Sequence, residues 1–291
     1  MRLIVLTGPT AVGKTSVAIE LAKTLGTEII SCDSRQMYRE MRIGTAVPTT
    51  EELAQTPHHF IGNLSIHDYY NVSMFEQECL QLLDKLFMKY PTVVMTGGSG
   101  LYVDALCKGI DDFPTVDAEI RKMTTAWFET EGIEYLRRKL KILDPAHYAK
   151  VDLRNHKRIM KAIEVSLQTG KPYSSFLTAQ ERKRPFEIEK FVINRPREEL
   201  FERINRRTSL MMAEGLLEEA QTLYPYRHLN ALNTVGYKEL FAYMDGQYEL
   251  DVAVELIRRN TRRYAKRQLT WFARDKEMIW KHPDEFKAFK L

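Results

Sequence analysis

The sequence predicts an α/β fold, a parallel sheet whose course is interrupted by an all-α insertion. Three observations carry that expectation. Short apolar runs at 3–6, 27–33 and 93–96 alternate with helical patterns, the signature of βαβ units. A glycine-bounded turn separates the first run from the first helix. From Asp111 to Pro185 only helical spacing occurs, and strand character returns at Phe186–Ile193. The expected division is a core of 1–110 with 186–291 and an insertion of 111–185.

The first run, Leu3–Leu6, is apolar and partly β-branched, as a strand buried on both faces should be. Gly8-Pro9-Thr10-Ala11-Val12-Gly13-Lys14-Thr15 follows and fits G-x-x-x-x-G-K-[ST] at every fixed position. Val17, Leu21 and Leu25 then keep helical spacing up to Gly26. In that order, consecutive backbone N–H groups and a helix N-terminus converge into an anion cradle. Lys14 supplies a point charge for phosphate oxygens, and the Thr15 hydroxyl suits a Mg²⁺ ion carried by them. The fold expected is therefore a P-loop NTPase-like parallel sheet core with an all-α insertion domain, its loop holding a polyphosphate or diphosphate.

Thr27–Asp33 reads as a second strand ending in an acid. Ligands of open α/β sheets bind beyond the carboxyl ends of strands, so topology brings Asp33 near the phosphate loop. Ser34-Arg35-Gln36 and Ile43–Ala46 form loop and turn over the same face, and 48–57 is expected to be polar surface. His58 and His59 are adjacent, which suits structural histidines better than ligands of one ion. An amphipathic helix spans 73–89. The run 93–96 ends in Gly97-Gly98-Ser99-Gly100, where many P-loop ATPases carry an acid that holds Mg²⁺ and polarises water. A backbone built for close approach stands there, which argues against a hydrolytic motor or switch.

In the insertion, Asp117 caps a helix carrying Ile120, Met123 and Trp127; Leu136, Leu140 and Leu143 mark a second, stopped by Asp144-Pro145. Asn155 caps a third with Ile159, Ile163 and Leu167, closed by Gly170. Beyond the fourth strand, 197–212 is a helix showing Arg203 and Arg207 on one face, within reach of a diphosphate. The last helix, 250–276, is basic and studded with Tyr264, Trp271 and Phe272, which should pack inward.

Composition is that of a globular protein: 291 residues, 44% hydrophobic and 28% charged, with no repeat and no apolar run of bilayer length. No cleavable leader precedes the first strand, so a cytoplasmic protein is expected. Three cysteines without metal spacing fit a reducing compartment, and Cys32 is expected to fill core. The net charge of +4 is uneven: residues 1–110 hold 9 Lys/Arg against 11 Asp/Glu, and residues 111–291 hold 34 against 28. The basic surplus permits a nucleic-acid partner for the second part.

Together these segments resemble the tRNA dimethylallyltransferase (tRNA isopentenyltransferase) family over nearly the whole chain. Gly8–Thr15 is similar to the family's Gly-Pro-Thr-Ala-Ser-Gly-Lys-Thr, with Val12 for Ser. Asp33-Ser34-Arg35-Gln36-Met37-Tyr38 matches Asp-Ser-x-Gln-x-Tyr, and Ile43–Ala46 matches Ile-Gly-Thr-Ala. Gly97–Tyr102 has Ser99 where Thr is usual. Val235-Gly236-Tyr237-Lys238 and the block ending Ala265-Lys266-Arg267-Gln268-Leu269-Thr270-Trp271 complete the series. Asp152–Lys161 departs from the family's His-Pro-Asn-Asp-x-Arg-Arg-x-x-Arg while keeping its positive charge.

The resemblance implies transfer of a dimethylallyl group from dimethylallyl diphosphate to the exocyclic N6 amine of adenosine at tRNA position thirty-seven, by a monomer with Mg²⁺ as cofactor and no membrane partner. It implies Asp33 as base, with Lys14, Thr15 and Arg207 on the leaving diphosphate. Thr10 and Ser99 would line the passage where base and prenyl group meet. Ser34, Arg35 and Gln36 would meet the flipped base, and Lys157, Arg158, Ile159, Met160, Lys161 and Lys238 would meet the anticodon stem. An alternative using the same loop, ion and acid is a P-loop small-molecule kinase consuming ATP. A non-catalytic tRNA-binding module would leave Lys14-Thr15 without purpose.

Overall fold

The computed structural model describes residues 1–111, 113–178 and 181–286. Six parallel strands form one sheet: β1 (Arg2–Thr7), β2 (Ile29–Ser31), β3 (His58–His59), β4 (Thr92–Gly97), β5 (Glu187–Ile193) and β6 (Ile279–Lys281). Their order is β3-β2-β4-β1-β5-β6. The central strand β1 is buried on both faces, and its period of two divides it between two cores. Leu3 and Val5 join Ile30, Phe75, Leu83, Leu106 and Phe272 on one face. Ile4 and Leu6 join Val17, Ala18, Leu200, Ile204 and Ala265 on the other.

The helices are α1 (Lys14–Leu25), α2 (Thr50–Gln55), α3 (Val72–Phe87), α4 (Gly100–Lys108), α5 (Ala118–Leu143), α6 (Pro145–Tyr148), α7 (His156–Thr169), α8 (Arg197–Ala213), α9 (Leu216–Leu223), α10 (Tyr237–Met244) and α11 (Leu250–Phe272). Gly26 ends α1 in the left-handed conformation, and Asn71 caps α3 through the amides of Ser73 and Met74. A third core, around Tyr38, Met41, Leu216, Leu232, Tyr237 and Ile257, ties α9, α10 and the start of α11 to the segment after β2.

Three details differ from the sequence expectation. Strand β2 is only three residues long, and β3 and β6 are new, because two- and three-residue edge strands are too short to display a period. The stretch 48–57 contains α2, started by a capping box between Thr49 and Glu52. Met123 is exposed, so the first half of α5 buries less than its apolar spacing suggested.

The chain separates into two compact units, Met1–Lys108 with Lys183–Leu291, and Gly109–Arg182. The second unit has its own core of Leu136, Leu140, Ile159, Ala162 and Ile163. Helix α5 breaks at Gly132, which adopts φ 72° and ψ −173°, so two helical segments meet there. Asn155 caps α7 by accepting from the Arg158 amide, and Gly170 closes it in the left-handed region. Buried Asp144 accepts from the His147 amide and from both the amide and hydroxyl of Ser174.

Candidate active site

The carboxyl ends of β1, β2 and β4 lie side by side because β4 pairs with both β1 and β2. The chain leaves β1 toward β2 and later returns to β1's other side as β5, so the sheet changes direction at this point. Three loops from distant parts of the sequence therefore meet.

The first is the phosphate loop. Gly13 caps α1, whose first amides have no partner within the helix and face the loop's interior. Ala11 holds φ at 64°, an uncommon value for a residue with a side chain. Side chains from α8 and the residues before it hold this geometry. Arg195 Nε donates to Val12 O at 2.9 Å, Arg203 Nε to Ala11 O at 2.8 Å, and Arg207 Nη1 to Thr10 Oγ1 at 3.3 Å. Lys14 Nζ donates to Gly8 O at 3.0 Å and Pro9 O at 2.8 Å. Burial lowers its pKa to about 8, with Arg207 adding to that effect and Asp33 opposing it. Burial also lowers the Arg207 pKa, again against Asp33.

The second loop begins at Asp33. Its Oδ1 accepts from the amides of Arg35 at 2.9 Å and Gln36 at 3.4 Å, so it caps the following turn. Among the described residues no group donates to Oδ2. The third loop follows β4. A Cβ on Gly97 would stand 2.6 Å from the backbone of Cys32, so only glycine lets β2's end pass this close. Gln268 on α11 joins the third loop to the first. It accepts from the Thr10 amide at 2.9 Å and donates to Gly98 O at 2.8 Å.

These loops enclose one wall of a cavity of about 520 Å³, lined by Thr10, Ala11, Gly13, Lys14, Thr15, Asp33, Arg35, Gln36 and Arg207 among the expected residues. Arg203, Arg206, Tyr264 and Gln268 also line it. The result is a collar of cations around a phosphate cradle, with one carboxylate oxygen available for a proton.

Other expected residues lie elsewhere. Gly8, Pro9 and Val12 do not line the cavity; Val12 is core beneath α1, so its departure from Ser is a packing matter. Ser34 and Ser99 are also absent from the lining. Ser99 Oγ accepts from the Ser34 amide at 2.9 Å and donates to its hydroxyl at 3.1 Å, locking the second loop to the third. Lys238 is exposed on α10. In the second unit Lys157 and Arg158 are exposed, and Lys161 Nζ lies 5.6 Å from the Phe113 ring. Ile159 is core and Met160 packs against that core, because the inward face of α7 repeats at 159, 162, 163 and 166. Ile159 is therefore closed to RNA, and Met160 is half-buried.

Tyr264 corrects another expectation. It lines the cavity instead of the core, while Trp271 packs against Gly100 and donates to Asp104 Oδ2 at 2.9 Å, and Phe272 is buried. Residues 264, 268 and 271 share one face of α11. A glutamine at the centre of an otherwise aromatic helical stripe was the signal for Gln268.

Among the described residues no three His, Cys, Asp or Glu side chains cluster as a cation cage. His58 Nδ1 instead bonds Thr56 O, and His59 bonds Glu28. Thr15 and Asp33 in one cavity fit an ion that arrives on phosphate oxygens and keeps most of its water.

Fold and site define a P-loop α/β enzyme with a cationic cradle and no acid at the end of β4. The chain belongs to the IPP transferase family, whose model matches residues 36–275. It is 54% identical over 286 residues to the tRNA dimethylallyltransferase 2 of Parabacteroides distasonis, covering 98% of this chain and 96% of that one. Among solved structures, the tRNA isopentenylpyrophosphate transferase of Bacillus halodurans superposes with a TM-score of 0.71 at 34% identity, covering 99% and 93%. A eukaryotic dimethylallyltransferase acting on tRNA shares the fold, with a TM-score of 0.82 at 24% identity, covering 97% and 74%. No helix of the described residues is long and apolar enough to cross a membrane.

Proposed function

We propose that this chain transfers the dimethylallyl group of dimethylallyl diphosphate to the N6 amine of the adenosine at tRNA position thirty-seven, next to the anticodon. It would do so in the cytosol and as a monomer. The observation that carries the reading is one cavity shared by a phosphate cradle, a collar of arginines and the open oxygen of Asp33.

The chemistry follows from those groups. An adenine amine is a weak nucleophile because its lone pair is delocalised into the ring. Asp33 Oδ2 accepts the amine proton as nitrogen bonds the allylic carbon and the carbon–oxygen bond to diphosphate breaks. Charge gathers on the departing oxygens, where Lys14, Arg203, Arg207 and the first amides of α1 are fixed in advance. Thr15 would hold Mg²⁺ together with diphosphate oxygens, and the bound ion would supply further charge neutralisation. Gln36 spends its amide hydrogens on Thr45 O and Ala46 O, which leaves its carbonyl for an adenine edge. The base must leave its stack to enter so enclosed a site. Lys157, Arg158, Lys161 and Lys238 would contact backbone phosphates, positioning the stem without reading its sequence.

The test is thermal. Dimethylallyl diphosphate with Mg²⁺ and tRNA should raise the melting temperature, and ATP should not be consumed with any acceptor. Steady ATP turnover would transfer the site to the kinase alternative.

A further inference from the structure

We propose that Glu219 on α9 is a positioning residue for the Asp33 base, acting through the Ile43–Ala46 turn and Gln36. This rests on the prenyl-transfer reading and adds to it a residue that never enters the cavity lining. One carboxylate gathers four donors. Oε2 accepts from the amides of Arg42 at 2.9 Å and Ile43 at 2.8 Å, and Oε1 from the Gly44 amide at 2.9 Å and the Tyr237 hydroxyl at 2.6 Å. Three consecutive amides turned onto one anion form a nest, a geometry that fixes backbone direction. Tyr237 completes the seat. It is fully buried, its ring lies where a Cβ on residue 44 would be 2.6 Å away, and burial beside Glu219 raises its pKa. Gly44 is therefore the residue that lets the turn settle onto Tyr237.

The far end of the turn continues the chain of contacts. Ala46 adopts φ 48°, and the carbonyls of Thr45 and Ala46 accept from Gln36 Nε2 at 3.2 and 2.9 Å. The Gln36 amide, with that of Arg35, donates to Asp33 Oδ1. A glutamine at 219 leaves one accepting oxygen for three amides and a hydroxyl and turns an NH2 against donors. The turn should then rotate away, Gln36 lose its two carbonyls, and Asp33 lose the orientation that points Oδ2 at the amine. The pairing also explains why Gly44 and Tyr237, far apart in sequence, belong to two glycine-containing motifs of the same chain.

Single-turnover transfer decides the question, measured for Glu219→Gln in the wild-type and Asp33→Asn backgrounds at saturating substrates. In the wild-type background Glu219→Gln should slow transfer by roughly 10- to 100-fold, with diphosphate affinity unchanged, as expected of lost orientation. In the Asp33→Asn background the same change should cost less than about 2-fold, because a base that is gone cannot be misplaced. Equal losses in both backgrounds would overturn the proposal, since an independent or merely structural role is additive. Should Glu219→Gln fold poorly, Tyr237→Phe, which removes one donor from the same carboxylate, tests the connection by the same comparison. Absence of prenyl transfer by the wild-type chain would instead refute the reading on which the proposal rests.

Discussion

The two oxygens of Asp33 meet different surroundings, and this determines what its replacement costs. Oδ1 caps a turn through two backbone amides, a task that an asparagine oxygen performs equally well. In the proposed reaction Oδ2 is the proton acceptor. Asp33→Asn should therefore keep its melting temperature and tRNA affinity while single-turnover transfer falls by roughly 10²–10⁴-fold. A near-normal rate, or full recovery on adding Mg²⁺, would remove Asp33 from the base role. Lys14 yields a pH prediction. Burial lowers its pKa to about 8 in the free chain, and a bound diphosphate favours its charged form. Binding then takes up a proton above that pH. Affinity for dimethylallyl diphosphate should be full below pH ~8 and fall by up to about tenfold per pH unit as pH rises further. Lys14→Arg, charged throughout, should flatten the profile; an equally steep decline in that variant would assign the titration to another group.

At the scale of elements, α8 and α11 shape the phosphate loop as much as the loop's own motif does. Gln268→Leu would leave the Thr10 amide and the Gly98 carbonyl unpaired, each costing about 1–3 kcal/mol. Denaturant unfolding should register that loss, and transfer should slow further than the unfolded fraction explains. A second element-level prediction concerns Arg184, which donates to the carbonyls of Ala105 and Leu106 at the end of α4 and to Glu76 on α3, both side chains being buried. Arg184→Ala should destabilise the first unit by about 3–5 kcal/mol, the typical cost of removing one partner of a buried ion pair. These contacts also mark where reading the sequence succeeds and where it stops. Periodicity revealed β1, β4 and β5 and the helices α1, α3, α7, α8 and α11, because each is long enough to bury a regular face. The phosphate loop and Asp33 were legible from spacing and strand order. The contacts of Gln268, the Ser34–Ser99 lock and the Glu219 nest were not, since each joins residues far apart in sequence through two to four hydrogen bonds. Ile159, placed on the apolar stripe of α7 by its spacing with Ile163 and Leu167, entered the expected RNA contacts only as a member of the basic run 157–161, and its burial takes it out of them.

For the whole molecule, the basic part of the chain, 111–291, also supplies Arg203, Arg206 and Arg207 to the cavity. The basic surplus of residues 111–291 suits a polyanion, and the cradle suits a diphosphate. Binding of tRNA should weaken steeply with salt, and removing both charges in a Lys157→Ala, Arg158→Ala variant should lower the log–log slope by roughly 0.7–0.9 per lost phosphate contact. Protection by dimethylallyl diphosphate should be unaffected in that variant. Wild-type tRNA affinity and slope there would take the phosphate-contact role away from α7. The most direct test of the central claim follows the two halves of the donor separately. Dimethylallyl diphosphate labelled with one isotope in its carbons and another in its phosphorus is incubated with an anticodon stem-loop carrying adenosines at and beside the target position. Carbon label on N6 of the adenosine next to the anticodon, with all phosphorus label released as diphosphate, is the result expected. Phosphorus label in the RNA, or no carbon label there while ATP is consumed, would contradict the account.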